Sequence, residues 1–215
     1  MISIIGDCHG HTDAYLAIAK NSDFSIQLGD FGFLSSLNKL AYSGLNPNNH
    51  KVLLGNHDDY DNAFNVPHVL GDFGTVGLDG RNIFYIRGGI SIDRVYRIGE
   101  ELSGSRKSYW SQEELNLDQM LDCIEMYRQV KPDIVVSHVP SATASAHILG
   151  NKSKGVLQQF KFHEGFKENT QLLGDQLLKI YRPKIWLSGH LHASKDITLD
   201  GTRFVGLSEL EVFML

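Results

Sequence analysis

The chain has 215 residues, of which 42% are hydrophobic and 21% are charged, as is typical of a globular protein. Its formal net charge of -5 leaves no excess of lysine and arginine, which argues against a broad surface for DNA or RNA. Two cysteines are too few for a disulfide framework, and no secretory signal or bilayer-spanning apolar run is visible. We therefore expect a single cytoplasmic domain over residues 1–215, with no membrane contact and no extended nucleic-acid binding.

Short apolar runs that end in Gly, Asp, Asn or His alternate with helix-like stretches along the chain. This alternation is typical of α/β proteins, in which helical crossovers join buried strands. We predict helices at residues 12–20, 112–130 and 169–181. The predicted strands lie at residues 2–5, 24–28, 51–54, 83–86, 133–137, 185–188, 203–207 and 210–214.

The helix predicted at residues 112–130 has the clearest pattern, with Ser111 as its predicted N-cap. Its apolar residues recur near i, i+3, i+4 spacing, which indicates one buried face. These residues are Leu115, Leu117, Met120, Leu121, Ile124, Tyr127 and Val130. By contrast, residues 139–155 are rich in Ser, Ala and Gly, and they are predicted to form a mobile loop next to His138.

Groups that can bind metals follow five of the predicted strands. They are Asp7 and His9, then Asp30, Asn56, His138, and finally His190 and His192. A single Asp or His pair would be weak evidence, because such residues often cap helices. The carboxyl ends of strands meet along one edge of an open α/β sheet, so the five segments are expected to converge. Alternating residues of an extended segment face one side, which would turn His190 and His192 into the same cleft.

These segments together resemble the motifs of a known superfamily. They read Asp7-Cys8-His9, Gly29-Asp30, Gly55-Asn56-His57-Asp58, His138 and Gly189-His190-Leu191-His192. In this order they resemble the calcineurin-like metallophosphoesterase superfamily, whose blocks are Asp-x-His, Gly-Asp, Gly-Asn-His-Asp or Glu, His, and Gly-His-x-His. The resemblance extends over residues 7–192 and implies a four-layer α/β/β/α sandwich, in which helices flank two mixed sheets.

The resemblance also implies two divalent metal ions. One ion would be held by Asp7, His9 and His192, the other by Asn56, His138 and His190, with Asp30 bridging both. A shell of imidazole, carboxylate and amide groups suits first-row metals, with manganese as the first choice and iron, zinc, nickel or magnesium as alternatives. Two divalent ions opposite the two carboxylates leave a charge of about +2, which attracts a phosphate ester.

The implied reaction is hydrolysis of a phosphate monoester or diester by in-line attack of a metal-bridging hydroxide. His57 is implied to protonate the leaving oxygen as general acid. We expect Asp58 to orient His57 and to raise its basicity. Asn56 is expected to contact the substrate as well as a metal.

An arginine can grip phosphate oxygens with its planar fork of donors. Arg94 is the first choice for this contact, with Arg97 and Arg106 as alternatives. The competing interpretation of Arg94 is a surface residue paired with Asp93 or Glu100.

Two other functions remain open at this stage: a scaffold that keeps the fold without catalysis, and a nuclease that acts on short nucleic-acid ends. A protein Ser/Thr phosphatase is disfavoured, because that branch has Asp-Arg-Gly after its Gly-Asp block and Glu after its Asn-His. Here the corresponding segments are residues 31–34, Phe-Gly-Phe-Leu, and Asp58. Histidines outside the motifs, among them His50 and His68, are interpreted as surface or capping residues.

Overall fold

A computed structural model describes residues 1–150 and 166–215, and its strands form two sheets. In chain order the strands are β1 (Ile2–Ile5), β2 (Phe24–Gln27), β3 (His50–Val52), β4 (Phe73–Leu78), β5 (Arg81–Ile86), β6 (Ile134–Ser137), β7 (Ile185–Ser188), β8 (Lys195–Leu199), β9 (Thr202–Gly206) and β10 (Val212–Met214). The first sheet has the order β10-β1-β2-β3, and the second has the order β4-β5-β6-β7-β9-β8. Parallel strands form the middle of each sheet, and β10, β4 and β8 pair antiparallel at edges.

Six α-helices lie among the described residues. They are α1 (Thr12–Lys20), α2 (Leu34–Ala41), α3 (Arg94–Leu102), α4 (Leu117–Val130), α5 (Ala142–Leu149) and α6 (Asn169–Ile180). Single 3-10 turns occupy Ala63–Asn65 and Ser111–Glu113. None of the helices in this described part of the chain has the length and apolar character to cross a membrane.

The inner faces of the two sheets pack against each other. Ile4 and Ile26 of the first sheet share one buried cluster with Val136 and Leu187 of the second. Successive residues of a strand point to opposite faces, so Val135, next to Val136, lies on the outer face of the second sheet.

Helices cover both outer faces of the sheets. Under α1 and α2, Ile5 packs in one cluster with Tyr15 and Leu37. Over the second sheet, Val135 packs in another cluster with residues of α4 and α6, such as Tyr127 and Leu177. The layers therefore run helix, sheet, sheet, helix, which confirms the predicted four-layer sandwich.

The start of α4 differs from the prediction. The Asn116 side chain accepts a hydrogen bond from the Gln119 amide, and the Gln119 side chain accepts one from the Asn116 amide, both at 2.9 Å. This reciprocal cap starts the helix at Leu117, so the predicted cap at Ser111 is wrong. The predicted buried face was also too wide, because Leu117 is 70% exposed and Leu121 is 55% exposed.

A helix occupies part of the predicted mobile loop. The Ser141 hydroxyl accepts a hydrogen bond from the Ala144 amide at 3.2 Å and caps α5, which covers Ala142–Leu149. The prediction of a loop is therefore wrong for this segment, and residues 151–155 lie outside the described residues. The Ser, Ala and Gly content suggested a loop, yet alanine is the strongest helix former.

Two histidines outside the motifs are buried at one end of the first sheet. This end of the sheet lies away from the motif residues. His50 is 6% exposed and His68 is 3% exposed, so their interpretation as surface residues is wrong. The His50 ring lies 3.0 Å from the Ser25 hydroxyl, and a His68 ring nitrogen lies 3.1 Å from the Leu45 carbonyl oxygen. Burial lowers the pKa of both rings, and each of them has a further basic neighbour that also lowers it.

Acid is therefore expected to destabilise the fold partly through His50. Because the pKa of His50 is lower in the folded state, the unfolded chain binds more protons at this residue. The contribution of His50 to the free energy of unfolding is therefore fully present above about pH 6.5, and it is lost as the pH falls toward the pKa of the folded state. Chemical unfolding between pH 7.5 and pH 5, with a chelator present, measures this loss. His50→Gln should show a shallower dependence than the wild type, and an unchanged slope would contradict the assignment.

Candidate metal centre

The loops after the strands are held together by main-chain hydrogen bonds. The amides of Cys8 and His9 donate to the Asp30 carbonyl at 3.1 and 2.6 Å, which joins the loop after β1 to the loop after β2. The Gly189 amide donates to the His138 carbonyl at 3.0 Å in the second sheet. The His190 amide then reaches across to the Asp7 carboxylate, at 3.1 and 3.0 Å from its two oxygens. Segments far apart in sequence thus meet at one edge of the sandwich.

The first predicted set of ligands converges on one point. One ligand atom from each of Asp7, His9, Asp30 and His192 lies within 4.8 Å of the other three. His9 Nε2 is 2.9 Å from His192 Nε2, and His192 Nε2 is 3.2 Å from Asp7 Oδ2. Two imidazole nitrogens and two carboxylates aimed at a common point fit a divalent first-row cation.

The second predicted set converges next to the first. Asn56 Oδ1 lies 3.1 Å from His138 Nε2 and 3.0 Å from His190 Nδ1. The other ring nitrogen of His138 donates to the Leu28 carbonyl at 2.7 Å, which leaves Nε2 as the available lone pair. The Asn56 amide nitrogen donates to the Ser91 hydroxyl at 3.4 Å, which turns the Asn56 oxygen toward the two histidines.

Asp30 lies between the two sets. Its Oδ2 is 3.7 Å from His9 Nε2, and its Oδ1 is 3.4 Å from His138 Nε2. The His57 amide also donates to Oδ1 at 2.7 Å, which fixes the carboxylate. One oxygen therefore faces each set, as the predicted bridging position requires.

Four of the predicted ligands have an unusual backbone conformation. The φ angles of His9, Asp30, His190 and His192 are 45°, 54°, 63° and 47°. Residues other than glycine seldom adopt this left-handed region, and they persist in it only where the surrounding structure fixes them. This local strain orients the side chains, since each residue turns sharply at the end of its strand.

Two glycines leave room for the carboxylates. A Cβ atom at Gly189 would collide with Asp7 Oδ1, and a Cβ atom at Gly55 would collide with Asp30 Oδ1. These motif glycines are therefore required by the close approach of main chain to carboxylate.

The buried carboxylates differ in their electrostatics. Burial alone would raise the pKa of Asp7, but a hydrogen bond with His192 and the charges of His138 and His190 outweigh it and lower that pKa. Burial and the charges of Asp7 and Asp58 raise the pKa of Asp30 well above its ordinary value. Crowding of buried carboxylates in this way is relieved by a bound cation, which supplies the missing positive charge.

The surroundings of His57 differ from the prediction. Its Nδ1 contacts the Arg97 guanidinium, which also donates to Asp93 at 2.7 Å and to the Ser108 carbonyl at 3.0 Å. Burial and the Arg97 charge lower the pKa of His57 to about 2, so the expected rise in its basicity is wrong. A guanidinium that donates to Nδ1 leaves the ring proton on Nε2.

Asp58 holds two loops instead of orienting His57. Its Oδ1 accepts the Gly32 amide at 2.7 Å, and its Oδ2 accepts the Gly55 amide at 2.6 Å. Burial outweighs these hydrogen bonds and raises the pKa of Asp58 to about 7. The predicted contact between Asp58 and His57 is therefore wrong, because both oxygens are turned to main-chain amides of the loops after β2 and β3.

The three candidate arginines occupy different places. Arg94, the first choice from sequence, is the first residue of α3 and lies near Glu114 and Tyr109. Arg97, one turn further along α3, is the one that contacts His57. The Arg106 guanidinium stacks 4.4 Å above the Phe33 ring centroid. Arg97 thus has a closer connection to the centre than the predicted Arg94.

Two acidic residues near the centre were missed from the sequence. Glu168 contacts His190 Nε2 at 3.0 Å, and burial of His190 is outweighed by this carboxylate, which raises the pKa of His190 to about 9. Glu113 accepts hydrogen bonds from the Ser91 amide and hydroxyl at 2.8 and 2.7 Å, behind Asn56. Neither residue belongs to a motif, so no local signal marked them.

Cys8, between two predicted ligands, is fully buried in the first core cluster. Burial and the charge of Asp58 raise the pKa of its thiol to about 12, so the residue remains protonated and unreactive.

Several solved structures resemble this one at low sequence identity. A hypothetical protein from Thermus thermophilus has a TM-score of 0.48 and 16% identity, aligning 97% of this chain with 75% of that one. A phosphopantetheinyl hydrolase from Mycobacterium tuberculosis has a TM-score of 0.47 and 15% identity, over 97% of this chain and 89% of that one. An archaeal phosphodiesterase has a TM-score of 0.42 and 13% identity, over 97% and 83% of the two chains.

Comparison with protein families gives the assignment. No curated protein sequence matches the chain significantly. The model of the family described as calcineurin-like phosphoesterase matches residues 1–194, a range that includes both sets of predicted ligands. The chain belongs to the calcineurin-like phosphoesterase family and is a metal-dependent phosphoesterase.

Proposed function

We propose that the chain hydrolyses a phosphate monoester or diester with two divalent ions, of which manganese is the first choice. Asp7, His9 and His192 would hold one ion, and Asn56, His138 and His190 would hold the other. The observation that carries the proposal is the position of Asp30, whose two oxygens face His9 at 3.7 Å and His138 at 3.4 Å. A carboxylate placed between two converging sets of donors suits a pair of adjacent cations.

When bound, the two ions lower the pKa of water and neutralise the charge that develops on the phosphoryl oxygens. The side chains of the protein orient the ester beside them. Arg97 replaces Arg94 as the preferred phosphate contact, because its guanidinium already lies beside His57 at the edge of the centre.

His57 is proposed to protonate the leaving oxygen. To act as the acid the ring has to be an imidazolium, protonated on both nitrogens, so Arg97 would have to turn from Nδ1, which it contacts here, to the bound phosphate. A phosphate anion bound next to Arg97 would add negative charge close to the ring, and such charge favours a protonated imidazole. The buried Asp58 is assigned to the loops, where it holds the main chain on both sides of Asp30.

The proposal is tested by hydrolysis of p-nitrophenyl phosphate and bis-p-nitrophenyl phosphate by metal-stripped protein. Turnover should return when Mn is added, and additions of Ni, Zn and Mg would rank the alternatives. The faster ester would separate a monoesterase from a diesterase. A protein that binds two ions but hydrolyses neither ester would favour the scaffold function, and a protein that binds no ion would overturn the proposal.

A further inference from the structure

Glu168 lies behind the second set of predicted ligands and outside every sequence motif. The residue is only 6% exposed. Its Oε1 is 3.0 Å from His190 Nε2, and its Oε2 accepts the Ile90 amide at 2.9 Å. Because Nε2 faces Glu168, the other nitrogen of His190 is the one turned to Asn56 Oδ1, at 3.0 Å. Glu168 thus fixes which side of the ring points into the centre.

The main chain of Glu168 is itself fixed at the start of α6. Its amide donates to the Gln171 side chain at 3.3 Å. Glu114 accepts the amide of the next residue, Asn169, at 2.8 Å and the Asn169 side chain at 3.3 Å. A carboxylate anchored on a helix terminus holds its partner more precisely than one on a loop.

The three ligands of this set have different outer contacts. His138 donates to a main-chain carbonyl, and Asn56 donates to a hydroxyl. His190 faces a carboxylate, whose negative charge makes the opposite ring nitrogen a stronger electron donor. Carboxylate partners of this kind determine both the tautomer and the orientation of histidines that bind metals.

We propose that Glu168 is a positioning residue for the second ion, acting through His190. The inference rests on the proposed two-ion function and extends it to a residue that the motifs do not contain. Loss of an outer partner commonly weakens metal binding by about 10-fold to 100-fold. The effect should be confined to the second ion. Among the described residues, Glu168 contacts His190 of the second set and no ligand of the first set.

Calorimetric titration of metal-stripped protein with MnCl₂ tests this directly. Glu168→Gln keeps the shape of the side chain and one acceptor oxygen, and it should lower the affinity for one of the two ions about 10-fold. Glu168→Ala should lower the affinity for the same ion about 100-fold. Asp175→Asn is the matched control, because it removes a negative charge from the same helix at a residue that accepts the Thr143 amide at 3.0 Å instead of contacting His190. It should leave both affinities unchanged.

Wild-type affinities for both ions in both Glu168 variants would overturn the inference, as would an equal loss in Asp175→Asn. If Glu168→Ala does not fold, Glu168→Gln alone decides. Turnover and two-ion binding by the wild type, combined with unchanged Glu168 variants, would overturn this inference while leaving the proposed function intact. A wild-type protein that binds no ion would overturn both.

Discussion

Asp30→Asn is expected to lower turnover roughly a thousandfold and to raise the thermal stability of the metal-free protein. The two proposed ions would supply several kcal/mol of charge stabilisation, and each ~1.4 kcal/mol corresponds to about tenfold in rate. Asparagine keeps an oxygen for the His57 amide, which donates to Asp30 at 2.7 Å, so the local shape should survive. Without metal, Asp30 is buried close to the charges of Asp7 and Asp58, and removing its charge relieves that repulsion.

Steady-state hydrolysis with Mn and thermal unfolding with a chelator measure the two expected changes, and metal content shows whether both ions remain bound. Asp59→Asn is a suitable control, because Asp59 is 6% exposed and accepts hydrogen bonds from Asp61 and Asn62 instead of facing the centre. This variant should keep wild-type turnover. An Asp30→Asn protein that binds two ions and hydrolyses esters within about tenfold of the wild-type rate would contradict the proposed bridging role of Asp30. A tenfold loss of rate corresponds to only ~1.4 kcal/mol of transition-state stabilisation.

The part of the centre that the sequence predicted depends on local geometry. Each predicted ligand lies within four residues of the end of a strand, and the carboxyl ends of parallel strands lie along one edge of their sheet. Asp7 and Asp30 follow neighbouring strands β1 and β2, and His138 and His190 follow neighbouring strands β6 and β7. Their convergence within each sheet therefore needed only the order of strands and motifs, whereas the meeting of the two pairs depends on the face-to-face packing of the two sheets.

The residues that were missed depend on the placement of helices. Glu168 reaches His190 because α6 begins behind β7, which no pattern around Glu168 indicates. Arg97 and Arg94 are one helical turn apart, so their roles depend on how α3 lies over the centre. The ion pair between Arg97 and Asp93, at 2.7 Å, lies within α3 and helps to hold the Arg97 side chain beside His57.

The wrong expectation for Asp58 has a similar cause. Adjacent residues in a chain were expected to form a catalytic pair, yet the turn after β3 directs the two side chains differently. Asp58 points inward to the amides of Gly32 and Gly55, whereas His57 points to Arg97. Buried main-chain amides need hydrogen-bond acceptors. The Asp58 carboxylate accepts from these two amides, which form no hydrogen bonds with a neighbouring strand in the part of the chain that the structure describes.

His57→Ala is expected to reduce hydrolysis by an amount that depends on the leaving group. A general acid contributes about 10²-fold to 10⁴-fold where the leaving oxygen needs a proton. Phenyl phosphate has a basic leaving group and should lose activity in that range, whereas p-nitrophenolate leaves readily without a proton and should lose far less. Rates for both esters at saturating Mn give the ratio that tests the role.

A purely structural role for His57 would give a different pattern. Damage to the metal centre would reduce hydrolysis of both esters equally, because the ions act on the phosphoryl group that the two esters share. Metal content should therefore be measured beside the rates and should match the wild type. His147→Ala provides the control, since His147 is exposed on α5 and its ring nitrogen contacts the Thr143 carbonyl oxygen at 2.9 Å. Equal losses for the two esters in His57→Ala would exclude proton donation and leave His57 as a support for Arg97.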